Sequence, residues 1–203
     1  MIQVTPLFPT ALGTTTLTTD PSKILRMCSE HKADTVLNIG NTYSKDSYVL
    51  NHPELATVKK ELEDRIRQFL YTVYKPSNKE LGVYITQSWF NYSEAGQFHH
   101  PHTHDNSLFS GVLYLRLPGD GSIVFHRGSK ILPVDLPTSE YGAYSSSIYR
   151  VGGLKEGDVC LFPSNLSHEV TTVSEGGTRV SLAFNSYIKG ALGDQLGLTQ
   201  LIL

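Results

Sequence analysis

Residues 82–127 read GVYITQSWFNYSEAGQFHHPHTHDNSLFSGVLYLRLPGDGSIVFHR. Short runs rich in Val, Ile, Tyr, Phe and Leu alternate here with clusters of Gly, Pro, Ser and Asp, the texture of strands joined by tight connections. The same texture continues in DVCLF (158–162), HEVTTV (168–173) and TRVSLAFNSY (178–187). Turn signals stand at Ser93-Glu94-Ala95-Gly96, Pro118-Gly119-Asp120-Gly121 and Ser174-Glu175-Gly176-Gly177. Many short strands in one block predict a mostly β, α+β fold: a jelly roll or related double-sheet barrel with flanking N-terminal helices packed outside it.

Upstream the period changes. Asp20-Pro21 suits the start of a short helix over 21–31. In HPELATVKKELEDRIRQFLYTVYK (52–75), Leu55, Val58, Leu62, Ile66, Phe69 and Val73 recur at three- and four-residue steps opposite a charged face, which predicts an amphipathic helix. Asn51 and Glu54 have capping-box spacing, with Pro53 in the first turn. The expected organisation is a single domain, 1–203, with a mainly helical flank over 1–80, a catalytic β core over 81–187 and a tail over 188–203. Residues 127–150 form a long excursion between strands, of the kind that serves as a lid or substrate wall.

The chain of 203 residues carries 17 basic and 19 acidic residues, a formal charge of −2, with no run of either sign. That balance argues against a nucleic-acid surface or a polybasic membrane anchor. Cys28 and Cys160 are the only cysteines, far apart, and fit a reducing compartment. MIQVTPLFPT lacks the form of a signal peptide and no 18-residue apolar run occurs, so the expected location is cytoplasmic. No Gly-x-Gly-x-x-Gly, phosphate loop or Gly-x-Ser-x-Gly elbow is present.

Four of the eight histidines fall within FHHPHTHDNS (98–107). Strand alternation places His100, His102 and His104 on one side, with His99 and Asp105 on the other. His102 and His104 are therefore expected to converge on a metal, with Asp105 as the alternative to His104 if a bulge brings it into phase. His168, opening a strand after an apolar run, is the candidate third ligand. Arg179, Ser181, Ala183 and Asn185 share one strand face, and Val180, Leu182 and Phe184 the other. A barrel arginine requires an anion. If the 174–178 turn folds its strand back beside the one starting at His168, the gap from metal to guanidinium suits a small dicarboxylate that chelates at one end and pairs at the other. Ser181 would add a hydroxyl. Tyr114 and Asn91 are further candidates to line this pocket. Trp89, like Tyr114, is read first as a barrel-filling aromatic, and His31, His52 and His126 as structural or exposed.

The succession SWFNY, HTHDNSLFSGVLYLRLPGDGSIVF, EGDVCLFPSNLSHEV and RVSLAFN, roughly Gln87 to Asn185, resembles the iron(II)- and 2-oxoglutarate-dependent oxygenases of bacteria and their phages. The resemblance implies a double-stranded β-helix with a His-x-Asp/Glu…His triad and a distal Arg-x-Ser. It casts His102 as first ligand, His168 as last, and Arg179 with Ser181 as the pair holding the 2-oxoglutarate C5 carboxylate. Where the family's acidic ligand would stand, this chain has His104. The implied cofactors are Fe(II) and 2-oxoglutarate, and the implied reaction consumes O2, oxidises an unidentified substrate and releases succinate and CO2. GQFHHPHTH and GDVCLFPSNLSH also resemble the two motifs of cupins, which leaves a three-histidine dioxygenase without 2-oxoglutarate as a rival. A non-catalytic, metal-stabilised assembly module is a second rival. An open sheet edge is compatible with a homodimer.

Overall fold

The computed structural model describes residues 1–119, 121–128, 134, 136–140, 142, 144–174 and 176–203. Its elements in chain order are β1 (Gly13–Thr16), α1 (Ser22–His31), β2 (Thr35–Leu37), β3 (Thr42–Ser44), α2 (Ala56–Val73), β4 (Gly82–Ser93), β5 (His99–His102), β6 (Phe109–Arg116), β7 (Ile123–His126), β8 (Ile148–Arg150), β9 (Asp158–Pro163), β10 (His168–Val170), β11 (Arg179–Lys189), β12 (Ala191–Leu192) and β13 (Leu201–Ile202). The expected excursion at 127–150 lies partly outside the described residues, and the lid assigned to it is not tested by them.

A seven-stranded sheet in the order β1-β9-β6-β11-β4-β3-β2 faces a four-stranded sheet in the order β5-β10-β7-β8. All the ladders between these strands are antiparallel. Together the sheets form the double-stranded β-helix that the resemblance implies. Between them, Tyr114, Ile123, Phe125, Cys160 and Phe162 build a small apolar core, with Phe125 and Phe162 edge to face at 4.9 Å. A larger core fills the outer side of the seven-stranded sheet, where Val58, Leu62, Ile66, Phe69 and Leu70 of α2 meet Phe90, Leu113, Val159 and Leu182. Alternation along β11 divides these environments: Val180, Leu182 and Phe184 face the helices, while Arg179, Ser181 and Ala183 face the inter-sheet space.

Four details depart from the sequence expectations. The N-terminal flank supplies three strands of the larger sheet as well as the helices. Asn51 does not cap α2; its side-chain Oδ1 accepts from Lys59 Nζ at 2.8 Å, and a 3-10 turn at Pro53–Leu55 leads into the helix. Leu70 takes the buried place expected of Val73, which is 38 % exposed, because the stripe drifts around the helix over its last turn. Finally, β10 and β11 do not form a hairpin: they lie in opposite sheets, and the connection between them crosses the sandwich.

The segment before α1 is tied down by one carboxylate. Glu61 on α2 accepts from the amides and hydroxyls of Thr18 and Thr19 at 2.7–3.0 Å. Burial pushes the Glu61 carboxyl up, but the four hydrogen bonds outweigh it and bring it down to about 2. A lowered carboxyl contributes stability that is complete above its unfolded value near 4.5 and is lost as pH falls towards 2. Glu61→Gln is therefore expected to lose about 1–2 kcal/mol at neutral pH, after allowance for solvent screening, and to converge on wild type in acid. Urea melts between neutrality and acid would check this; an equal deficit at every pH would remove the carboxylate from the explanation.

Candidate active site

The ladder of β5 against β10 sets the histidine geometry. His168 pairs with His102 and Val170 with His99, so two steps on β10 span three on β5. This bulge surrounds Pro101, which has no N–H to donate to a ladder. It also corrects the expected alternation: His99 as well as His102 lines the pocket, and the rings of these two stack at 4.2 Å with an 18° interplanar angle. His104 lies past the end of β5 and is fixed by its amide, which donates to the Ser164 carbonyl at 2.9 Å. Hydrogen bonds joining Ser107, Ser110, Ser164 and Asn185 brace the same connection.

His102, His104 and His168 each offer a ring nitrogen, and the three atoms lie within 4.8 Å of one another. Asp105 is exposed and belongs to no such group among the described residues. His102 Nδ1 lies 2.8 Å from the His100 carbonyl and His168 Nδ1 lies 2.9 Å from the Leu166 carbonyl. A carbonyl only accepts, so both Nδ1 atoms carry the proton and both Nε2 lone pairs are left for a cation. Burial, reinforced by the neighbouring imidazoles, lowers His168 to about 3 and His104 to about 4, and burial lowers His102 as well. All three rings are uncharged at neutral pH, the state in which imidazole ligates metal.

Arg179 lies at the other end of the pocket and is 2 % exposed. Its Nε donates to the Gly121 carbonyl at 2.9 Å and its Nη1 to Ser181 Oγ at 3.2 Å. Its guanidinium carbon lies 5.4 Å from the centre of the Tyr114 ring. Among the described residues no carboxylate forms an ion pair with it. Burial pulls the guanidinium below its ordinary value, the sign of a cation held out of water without a counterion. Asn91 pairs across the ladder with Ser181, and its side-chain carbonyl is buried with no hydrogen-bond partner. The Tyr114 hydroxyl is likewise buried, beside the Arg179 guanidinium and the Cys160 thiol. A pocket with three convergent neutral imidazoles at one end and an unpaired buried guanidinium at the other is built for a cation and an anion together.

Residues 87–185 match the family described as "Putative 2OG-Fe(II) oxygenase". The match, confined to the β core, is to the 2OG-Fe(II) oxygenase family. Solved structures with the same fold include a 2OG-Fe(II) oxygenase family oxidoreductase from Burkholderia pseudomallei (18 % identity, 86 % of this chain and 84 % of that one, TM-score 0.56). HygX from Streptomyces hygroscopicus, solved with nickel, 2-oxoglutarate and hygromycin B, is 16 % identical over 87 % of this chain and 82 % of its own, with TM-score 0.57. A prolyl-4-hydroxylase from Pseudomonas putida is 12 % identical over 87 % and 92 %, with TM-score 0.54. No curated protein matches the sequence. The match and the shared fold indicate an oxygenase-type enzyme, and Fe(II) and 2-oxoglutarate are the cofactors that the family's description names. The donor chemistry fits both: free Nε2 atoms face one end of the pocket, and an unpaired guanidinium stands at the other.

Sequence reasoning missed several residues that line or support this pocket. Asn41, 3 % exposed, enters from the β2–β3 turn; the Asn38-Ile39-Gly40-Asn41 turn between two β-branched runs was the available signal. Trp89, expected to fill the barrel, lines the pocket with its ring 5.8 Å from that of His104. Gly121 had no signal beyond its turn, yet a Cβ there would meet Arg179 Cδ at 2.8 Å. Among the described residues no helix is long and apolar enough to cross a membrane.

Proposed function

We propose that this enzyme is an Fe(II)- and 2-oxoglutarate-dependent dioxygenase that hydroxylates a substrate, with His102, His104 and His168 as the metal ligands and Arg179 with Ser181 as the 2-oxoglutarate carboxylate site. Bound together, Fe(II) and 2-oxoglutarate would supply O2 activation coupled to release of succinate and CO2, and the oxidant that removes hydrogen from the substrate. The observation that carries this reading is Arg179, a buried cation without a carboxylate partner in the same pocket as three convergent imidazoles.

The chain's own groups have separable tasks. His102 and His168 hold their Nδ1 protons on the His100 and Leu166 carbonyls and so aim Nε2. Arg179 binds the distal carboxylate, and Ser181 adds a hydroxyl that already contacts the guanidinium. Asn91 offers an amide beside Ser181. Val112, Ile123 and Phe162 give the pocket apolar wall that keeps water from the reacting atoms. Two buried, unpaired cysteines support a reducing, cytoplasmic setting.

His104 favours one alternative, a three-histidine dioxygenase without 2-oxoglutarate, because three neutral ligands leave the metal's charge undiminished. Anaerobic titration of the Fe(II)-loaded enzyme with 2-oxoglutarate separates the two. The visible metal-to-ligand charge-transfer band is expected in wild type and lost in Arg179→Ala. Tight iron binding without any band would move the assignment to the alternative. Gly121→Ala, by crowding the Arg179 side chain, is expected to weaken 2-oxoglutarate about tenfold while leaving iron affinity unchanged, in line with an overpacking cost of about 1–3 kcal/mol.

A further inference from the structure

We propose a second metal site, formed by His31, Asp46 and His52 and suited to Zn2+, on the face of the seven-stranded sheet opposite the histidine pocket. Its donors come from three segments: the last turn of α1, the loop after β3, and the link between the 3-10 turns Val49–Asn51 and Pro53–Leu55. One ligand atom from each residue lies within 4.8 Å of the other two.

The cluster is already partly ordered for binding. His52 Nε2 and Asp46 Oδ2 are 2.8 Å apart, and the His31 and His52 rings meet edge to face at 5.7 Å. The His31 ring also rests against Phe90, with centroids 5.9 Å apart. The other carboxylate oxygen, Asp46 Oδ1, accepts from the Tyr48 amide at 2.7 Å, which fixes the plane of the carboxylate and leaves Oδ2 for the cluster. A ligating carboxylate held by its second oxygen is the usual support of a metal site.

Two imidazoles and one carboxylate form a donor set for a borderline divalent cation such as Zn2+, with water completing the tetrahedron. Donors around tetrahedral zinc stand roughly 3.4 Å apart. The Asp46–His52 pair already lies inside that distance, and His31 closes the site by swinging about 1 Å inward. The metal would replace the proton shared by His52 and Asp46, with His52 adopting its Nδ1–H tautomer. Side-chain exposures of 45 % for His52 and 27 % for Asp46 leave the approach open to solvent. The carbonyl end of α1 adds a favourable field for a cation.

Alternation along β4 separates this cluster from the pocket. Phe90 and Tyr92 face the helices, whereas Trp89, Asn91 and Ser93 line the pocket. The two metals would be divided by the sheet, and the inference does not rest on the iron assignment. Zinc bound here ties the end of α1 to the segment that enters α2.

The test is zinc stoichiometry on the full chain, measured by competition with a chromophoric chelator after metal stripping. Wild type is expected to bind two equivalents. His102→Ala/His168→Ala is expected to retain one, together with a zinc-dependent rise in melting temperature. Adding His31→Gln and His52→Gln to that variant should weaken the remaining equivalent by ~100-fold or more and abolish the rise, with unchanged far-UV circular dichroism. His31→Gln/His52→Gln alone keeps the test valid if the pocket variant fails to fold, and should lower the stoichiometry from two to one. An equivalent that survives both glutamine substitutions in the His102→Ala/His168→Ala background, or a wild-type stoichiometry that those two substitutions do not lower, would overturn the site and leave an ordinary Asp46–His52 hydrogen bond.

Discussion

Arg179→Met is expected to melt within about 1 kcal/mol of wild type in the absence of 2-oxoglutarate, and to gain nothing when 2-oxoglutarate is added. The side chain is 2 % exposed and, among the described residues, no carboxylate pairs with it. Replacing a buried charge with a well-packed apolar side chain of similar volume is often neutral or stabilising by about 1–4 kcal/mol. Against that stands the Gly121 carbonyl, which loses the Arg179 Nε donor at a cost of about 1–3 kcal/mol. Those two effects nearly cancel. Wild type at a hundredfold excess of 2-oxoglutarate over its Kd should gain about 2.7 kcal/mol, whereas the variant should show no shift. Thermal melts with and without the co-substrate decide the matter. A variant that loses several kcal/mol without ligand would mean that the guanidinium is structural, and a variant that still responds to 2-oxoglutarate would mean that the anion binds elsewhere.

His168→Ala is the second large effect. The ring is 4 % exposed, closes the imidazole triad, and has its Nδ1 anchored on the Leu166 carbonyl. Its removal leaves two protein nitrogens at the metal, so Fe(II) affinity should fall by more than ~100-fold and 2-oxoglutarate turnover to background. His104→Asp is the informative companion, since it restores two histidines and one carboxylate. If His104 is the third ligand, this variant should keep iron and the charge-transfer band; Asp105→Ala should leave both unchanged. Iron loss in Asp105→Ala would reverse the assignment between the two neighbours.

Six strands of the fold were legible because short runs rich in β-branched, aromatic and aliphatic residues stand between Gly-, Pro-, Ser- and Asp-rich turns. β1, β2 and β3 were not: GTTT, TVL and TYS are short edge or near-edge segments with too few apolar residues to display a period. That His168 and the Arg179–Ser181 pair face one pocket could be read because each lies on a strand whose alternation fixes its face. The region around His99 could not be phased, because the Pro101 bulge changes the count by one and turns a neighbour of the expected histidine into the pocket. Asn41 reaches the pocket, and Gly121 the Arg179 side chain, from turns, where no periodicity predicts direction. The placement of β10 and β11 in opposite sheets was also hidden, since a turn signal marks a change of direction without saying which strand lies alongside.

The pairing of β1 with β9 has a consequence for how the chain is made. Thr16 lies opposite Asp158, 142 positions downstream, and its hydroxyl donates to that carboxylate at 2.6 Å. β2 and β3 close the far edge against β4 much earlier in the chain. At translation rates of about 5–20 residues per second, the Thr-rich first strand waits roughly 7–30 s on the ribosome for its partner. During that interval β2, β3 and β4 can already pair while β1 has no partner, and β11, which joins the two halves of the sheet, is made later still. The weak apolar character of GTTT, a poor template for stray strand addition, suits a segment that must remain unpaired for so long.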